Sequence, residues 1–94
     1  MKVQVVCAGI ALFAGWWFHI SITEWMMVIV VIGLVLVAEL LNTAIEKLVD
    51  LVQPDYHPLA GKVKDMAAGG VFIAATTALV IGILVFGKYI IRMF

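Results

Sequence analysis

The sequence predicts an all-α integral membrane protein with three transmembrane helices. The 94-residue chain is 66% hydrophobic, whereas a soluble domain has about 45–50% apolar residues. Its mean hydropathy is +1.22. A chain this short cannot enclose so much apolar surface in one water-soluble core, so we expect the surface to face lipid. Three apolar runs, separated by two polar connections, give the number of helices.

The apolar runs define the elements of a single membrane domain, residues 1–94. They are a first span at about 3–20, a turn at 21–24, a second span at about 25–52, a polar connection at about 53–65 and a third span at about 66–86. Trp16 and Trp17 suit the aromatic belt at the far end of the first span. Pro54 and Pro58 mark the connection, because proline lacks the amide donor that a helix interior needs.

The basic residues predict an orientation. One side of the membrane would carry Lys2, Lys47, Lys62 and Lys64, and the other Lys88 and Arg92. Because cytoplasmic loops carry an excess of Lys and Arg, we expect the 53–65 connection in the cytoplasm. The formal net charge is +0, so the chain has no basic field that would attract nucleic acid.

The second span carries polar residues where lipid is expected. Glu39, Asn42, Glu46 and Asp50 are spaced by three, four and four, which places them on one helical face. An intramembrane charge costs about 3 kcal/mol on insertion scales, so this face must meet protein, water or a bound cation. Two interpretations remain open: a polar seam between the helices of an oligomer, or a site where carboxylates bind a divalent cation or act as a base.

The polar connection favours the second interpretation. Asp55, Tyr56 and His57 cluster there, and Lys64 and Asp65 are expected where the third helix begins. A helix N-terminus with a lysine can receive a phosphate, so these residues together suggest nucleotide handling. His57 alone is more typical of a hydrogen-bonding loop residue. Three spans form a thin wall around a polar site, so we also expect a homo-oligomer.

The stretches AELLNTAIEKLVD and DYHPLAGKVKDMAAGG closely resemble the small prokaryotic diacylglycerol kinase and undecaprenol kinase family. The resemblance implies a homotrimeric, three-span enzyme of the bacterial inner membrane with its active site facing the cytoplasm. Such an enzyme transfers the γ-phosphate of ATP, with Mg²⁺, to the hydroxyl of undecaprenol or diacylglycerol. The phrases NTAIEKLVDLV and YHPLAGKVKD are more similar to the undecaprenol kinase branch.

The resemblance also implies roles for individual residues. Glu39 corresponds to the general base, and Glu46 to a carboxylate that binds the divalent cation accompanying ATP. Asn42 and Asp50 correspond to supporting residues of the same motif. The other residues implied in ATP binding are Asp55, Tyr56, His57, Lys64 and Asp65.

The chain departs from the family pattern at its start. The family normally has an amphipathic helix, with a second metal-binding glutamate, before the position of Met1. Because of this departure, three interpretations of the sequence remain open. It is a fragment, it has a misassigned start site, or it is an inactive or truncated paralogue that acts as a non-catalytic membrane oligomer. A proton or cation carrier would explain Glu39 and Glu46 but not His57 or Lys64.

Overall fold

The computed structural model describes residues 2–94 as three α-helices joined by short connections. The helices are α1 (Lys2–Phe18), α2 (Ile22–Val52) and α3 (Pro58–Met93). The predicted all-α class is therefore confirmed. By length and composition α2 and α3 could each cross a membrane, whereas α1 is apolar but has 17 residues. The 36 residues of α3 correspond to about 54 Å at 1.5 Å per residue, which matches the 54 Å long axis of the bundle.

Most apolar side chains of the bundle point outward. The buried hydrophobic residues within 2–94 are Ile20, Val28, Ala74 and Val85. The accessible surface is 6925 Å², compared with about 5,400 Å² for a compact soluble protein of this mass. Exposed apolar area on this scale is typical of helices that face lipid or other helices rather than water.

The first connection comprises residues 19–21 and lies earlier than the predicted turn at 21–24. His19 adopts a left-handed φ of 54°. The Ile20 N–H donates to the Gly15 carbonyl at 3.2 Å, and the His19 N–H donates to the Trp16 carbonyl at 3.4 Å. This pair of hydrogen bonds is a Schellman motif, which satisfies the last carbonyls of α1 and reverses the chain.

A capping box begins α2 immediately afterwards. The Ser21 hydroxyl accepts a hydrogen bond from the Glu24 N–H at 3.2 Å. In return, the Glu24 carboxylate accepts from the Ser21 N–H at 3.0 Å. The S-x-x-E spacing is a known signature of a helix start, so the predicted turn at 21–24 is wrong beyond Ser21. Glu24 belongs to the first turn of α2.

The same glutamate joins α2 to α3. Its side chain is only 9% exposed and lies 2.9 Å from Lys88 Nζ. The Tyr89 hydroxyl donates to Glu24 Oε1 at 2.6 Å. The Tyr89 ring stacks on Phe18 with a centroid separation of 5.6 Å. All three helices therefore meet at this end, which we call the closed end.

We expect Tyr89→Phe to lower the thermal unfolding midpoint by several degrees, because it removes the hydroxyl that Glu24 accepts while it retains the ring. Circular dichroism in detergent would measure the midpoint. The matched control is Tyr56→Phe, since Tyr56 is 92% exposed and should tolerate the same change. Equal midpoints for both variants would contradict a stabilising role of the Glu24–Tyr89 hydrogen bond.

Gly15 permits the close approach of α1 and α2. A Cβ atom built there would lie 2.8 Å from Trp25 Cη2 and 3.1 Å from Ile20 Cδ1. We therefore expect Gly15→Ala to destabilise the fold by about 1–3 kcal/mol through overpacking. Gly9→Ala is the control, since a Cβ there would meet no atom within 4 Å. Chemical denaturation in detergent compares the two, and equal stability would show that the indole moves aside at little cost.

The third helix begins earlier than the sequence analysis predicts. α3 starts at Pro58, so the expectation that it begins at Lys64 and Asp65 is wrong, and both residues lie inside the helix. Proline is favoured at the first helical position because its missing N–H would have no helical partner there. His57 is the N-cap, and its Nδ1 accepts a hydrogen bond from the Leu59 N–H at 3.2 Å.

Candidate active site

The polar residues predicted to share a helical face all lie within α2. We call Glu39, Asn42, Glu46 and Asp50 the acidic face. Glu39 and Glu46 are two turns apart, about 10 Å along the helix axis. The acidic face runs toward the end of the bundle opposite the closed end, where the second connection joins α2 to α3. Its residues contact different helices, so each level of the face has its own surroundings.

At the level of Glu39, α2 is linked to α1. The side-chain amide Nε2 of Gln4 donates to Glu39 Oε1 at 2.9 Å across 35 residues of sequence. Both side chains are partly buried. The carboxylate of Glu39 is therefore held by a hydrogen bond rather than by a basic residue, which leaves its charge without a cationic partner in the described chain 2–94.

One turn further, Asn42 and Glu46 form a pair within α2. Asn42 Nδ2 donates to Glu46 Oε1 at 3.3 Å. Asn42 Oδ1 is buried and accepts no hydrogen bond from residues 2–94. Glu46 is exposed. The two side chains thus lie together. Glu46 retains a second carboxylate oxygen, and Asn42 Oδ1 is an acceptor without a donor from residues 2–94.

These oxygens suit a hard divalent cation. The described residues 2–94 contain no group of three or more His, Cys, Asp or Glu side chains that could hold a metal alone. Mg²⁺, however, commonly takes one or two protein carboxylates and completes its octahedron with water and substrate phosphates. Glu46, together with Asn42 Oδ1, fits that pattern.

The last level of the acidic face contacts α3. Lys64 Nζ lies 2.5 Å from Asp50 Oδ1, and the two side chains are 38% and 63% exposed. An exposed ion pair of this kind contributes about 0–1 kcal/mol. Lys64 can therefore exchange Asp50 for a phosphate group at little cost, even though it lies within α3 rather than at its N-terminus.

The remaining predicted nucleotide contacts are accessible but are not assembled. Asp55, Tyr56 and His57 are exposed in the second connection, and Asp65 is exposed on α3. Within residues 2–94, Asp55, Tyr56 and Asp65 form no side-chain hydrogen bond with the acidic face. Because His57 Nδ1 is an acceptor, the proton of the neutral ring is on Nε2, which is available to donate.

Gln4 and Glu24 form polar contacts in the structure, although the sequence pattern assigned neither a functional role. After Lys2, Gln4 is the one polar side chain of α1, and polar residues inside such helices commonly mark an interhelical contact or a functional site. Glu24 is signalled by the capping-box spacing from Ser21. The signal at Gln4 concerns the candidate site, and the signal at Glu24 concerns the closed end.

The fold and the site together define a strongly apolar helical bundle, with two helices long enough to cross a membrane and a charged face near one end. A family model described as Prokaryotic diacylglycerol kinase matches residues 1–86. The undecaprenol kinase of Bacillus subtilis is 47% identical over 83 residues, which cover 88% of this chain and 68% of that protein. The diacylglycerol kinase of Escherichia coli K12 is 34% identical over 75 residues, 80% of this chain and 62% of that protein.

The chain therefore belongs to the prokaryotic diacylglycerol kinase family, as the sequence motifs predict. A third relative, the diacylglycerol kinase of Helicobacter pylori strain 26695, is 38% identical over 71 residues, 76% of this chain. That alignment covers 52% of the relative's own length. The family and the apolar helices indicate a membrane location.

Proposed function

We propose that this chain phosphorylates the hydroxyl group of a membrane lipid, with ATP as the phosphoryl donor and Mg²⁺ as the cofactor. The observation that carries the proposal is the order of groups along the acidic face. Glu39, without a cationic partner, lies about 10 Å along α2 from Glu46. Asp50 and Lys64 follow toward the second connection. The names of the related lipid kinases support the same activity.

The proposed reaction is a direct phosphoryl transfer. The lipid hydroxyl oxygen forms a bond to the γ-phosphorus of ATP as the bond to the β,γ-bridging oxygen breaks, and ADP leaves with that electron pair. Glu39 takes the hydroxyl proton as general base. Phosphoryl transfer depends mainly on alignment and charge stabilisation, so a small helical bundle can supply what is needed.

The nucleotide would bind beside the second connection. Glu46 and Asn42 would hold the cation, which supplies charge neutralisation at the phosphates when bound. Lys64 would exchange Asp50 for a phosphate oxygen. The further residues proposed to contact ATP are Asp55, Tyr56, His57 and Asp65.

Undecaprenol is the proposed lipid, and diacylglycerol is the alternative. The motifs are more similar to the undecaprenol kinase branch, and the Bacillus subtilis undecaprenol kinase is 47% identical. The Escherichia coli and Helicobacter pylori diacylglycerol kinases are 34% and 38% identical. Because diacylglycerol kinases are also among the relatives of this chain, both lipids must be assayed.

The proposal includes an assembly and an orientation. The three helices would all cross the bacterial inner membrane, with the second connection and the site facing the cytoplasm, in accordance with the excess of lysines at that end. The chain would form a homotrimer, in which the exposed apolar side chains of neighbouring copies cover one another and enclose the polar site.

A phosphate-transfer assay tests the proposed function. The purified chain, in detergent or bilayers, would receive γ-labelled ATP and Mg²⁺ with undecaprenol and diacylglycerol in parallel. We expect label to appear in the lipid, with undecaprenol preferred. A folded chain that labels neither lipid would contradict the proposal and favour the non-catalytic membrane oligomer.

A further inference from the structure

An apolar cleft leads to Gln4. The cleft has a volume of about 710 Å³ and is lined by all three helices. Small side chains keep it open, with Ala8 and Ala11 on α1 and Ala78 on α3. Along α1 it extends over residues 3–18, about 22 Å at 1.5 Å per residue. That exceeds the roughly 15 Å thickness of one leaflet, half of a hydrocarbon core of about 30 Å.

The orientation of the Gln4 amide follows from its partner. An ionised carboxylate only accepts hydrogen bonds, so the Gln4 atom 2.9 Å from Glu39 Oε1 is the nitrogen. The oxygen, Gln4 Oε1, is consequently directed elsewhere. It is buried and receives no hydrogen bond from residues 2–94. Buried acceptors are rarely left unpaired, so this oxygen identifies a place for a donor.

A lipid alcohol matches this combination of surfaces. Its hydrocarbon chain fits an apolar cleft, and its hydroxyl is a single donor at the end of that chain. A second helix in the cleft would fill the apolar volume, but its backbone donors are already used within the helix, so it would need a donor side chain at this level to pair with the oxygen. The unpaired oxygen and its position beside Glu39 favour the lipid.

We propose that Gln4 is a positioning residue that receives the lipid hydroxyl from the apolar cleft at its Oε1 while its amide N–H holds the carboxylate of Glu39. The proposal rests on the proposed function and adds a lipid path and a residue to it. Because the alcohol has one hydroxyl hydrogen, that hydrogen turns from Gln4 Oε1 to Glu39 Oε2, the oxygen that the amide leaves free, and Oε2 then takes the proton. Gln4 thus brings the acceptor alcohol and the base together before phosphoryl transfer.

Kinetics of Gln4 variants test the proposal. We expect Gln4→Met, which keeps the length but removes both polar atoms, to lower kcat by roughly 10- to 100-fold, the size expected for losing one hydrogen bond to a charged group. The KM for the lipid should rise while the KM for Mg-ATP stays unchanged. Gln4→Glu keeps the shape but replaces the donor with a charge that repels Glu39, so we expect it to be at least as impaired.

Thr77→Val is the control, because it also replaces a polar side chain with an apolar one. The Thr77 hydroxyl is exposed and donates to the Ile73 carbonyl of its own helix, outside the cleft and the acidic face. Its rates should equal those of the unchanged chain. Full activity of Gln4→Met, or an equal rise in the KM for both substrates, would overturn the role of Gln4. Wild-type rates for Gln4→Glu would overturn it as well, since only the shape would then matter.

A spectroscopic experiment separates this proposal from the proposed function. Solid-state NMR in bilayers would measure through-space transfer between the ¹⁵N-labelled Gln4 amide and the ¹³C-labelled Glu39 carboxylate, before and after addition of undecaprenol or diacylglycerol. We expect the contact to be present and its shifts to change with each alcohol but not with its acetate ester, which lacks the hydroxyl.

An absent contact, or equal responses to alcohol and ester, would overturn the proposal even if the chain is an active kinase. The expected response without any phosphate transfer would support this binding role and refute the kinase.

Discussion

Glu39→Gln is expected to abolish phosphate transfer to lipid while it leaves Mg-ATP binding nearly unchanged. The substitution is isosteric, and the new amide oxygen can still accept the hydrogen bond that Gln4 donates to Oε1. It removes only the charge and the basicity. A positioned general base contributes about 10²- to 10⁴-fold, so the rate should fall by that factor or below detection.

Three measurements make this test specific. Lipid labelling from γ-labelled ATP reports turnover. Nucleotide binding reports whether the proposed Mg-ATP-binding part of the site is intact, and circular dichroism reports the fold. Glu39→Asp is the matched variant, because it keeps the carboxylate but withdraws it along the side chain, and we expect partial activity. Unchanged turnover of a folded Glu39→Gln protein would exclude Glu39 as the base.

Glu46→Gln is expected to weaken nucleotide binding that depends on the divalent cation. The amide can still accept the hydrogen bond from Asn42 Nδ2, so the local helix surface should be preserved. The loss of a charged oxygen ligand should raise the Mg²⁺ concentration for half-maximal activity by about tenfold or more, since even the groups that support metal ligands affect affinity by about 10- to 100-fold.

Excess Mg²⁺ distinguishes a ligand from a structural residue. We expect high Mg²⁺ to restore much of the activity of Glu46→Gln and none of the activity of Glu39→Gln. An unchanged Mg²⁺ titration would count against ligation by Glu46. A loss that no Mg²⁺ concentration rescues, in a folded protein, would assign Glu46 a role other than cation binding.

The predictions that held depend on periodicity within one helix. Glu39, Asn42, Glu46 and Asp50 share a face because residues three and four apart are neighbours on any α-helix, whatever its environment. The turn positions depend on local chemistry that is also readable in principle. Ser21 and Glu24 carry a capping box, and Pro58 favours a helix start. Composition alone places the turn at 21–24 and the start of the third helix too late, because it does not register these cap signals.

The contacts between helices could not be predicted in the same way. Gln4 meets Glu39 across 35 residues, and Tyr89 meets Glu24 across 65 residues. No spacing rule connects such pairs, because the rotation and axial offset of one helix against another are set by how whole side-chain surfaces pack. Small local features affect these offsets. One is the missing side chain of Gly15, which lets the Trp25 ring lie against α1.

Residue order and hydropathy alone therefore specify an all-helical, strongly apolar chain with one acidic face and the motifs of a lipid kinase family. Tertiary structure alone decides which groups that face meets: the amide of Gln4 at Glu39 and the ammonium group of Lys64 at Asp50. The physical reason is that helical periodicity is a property of a single segment. The partner of a polar group depends on the packing of separate segments. That partner determines whether a carboxylate is left free to act as a base.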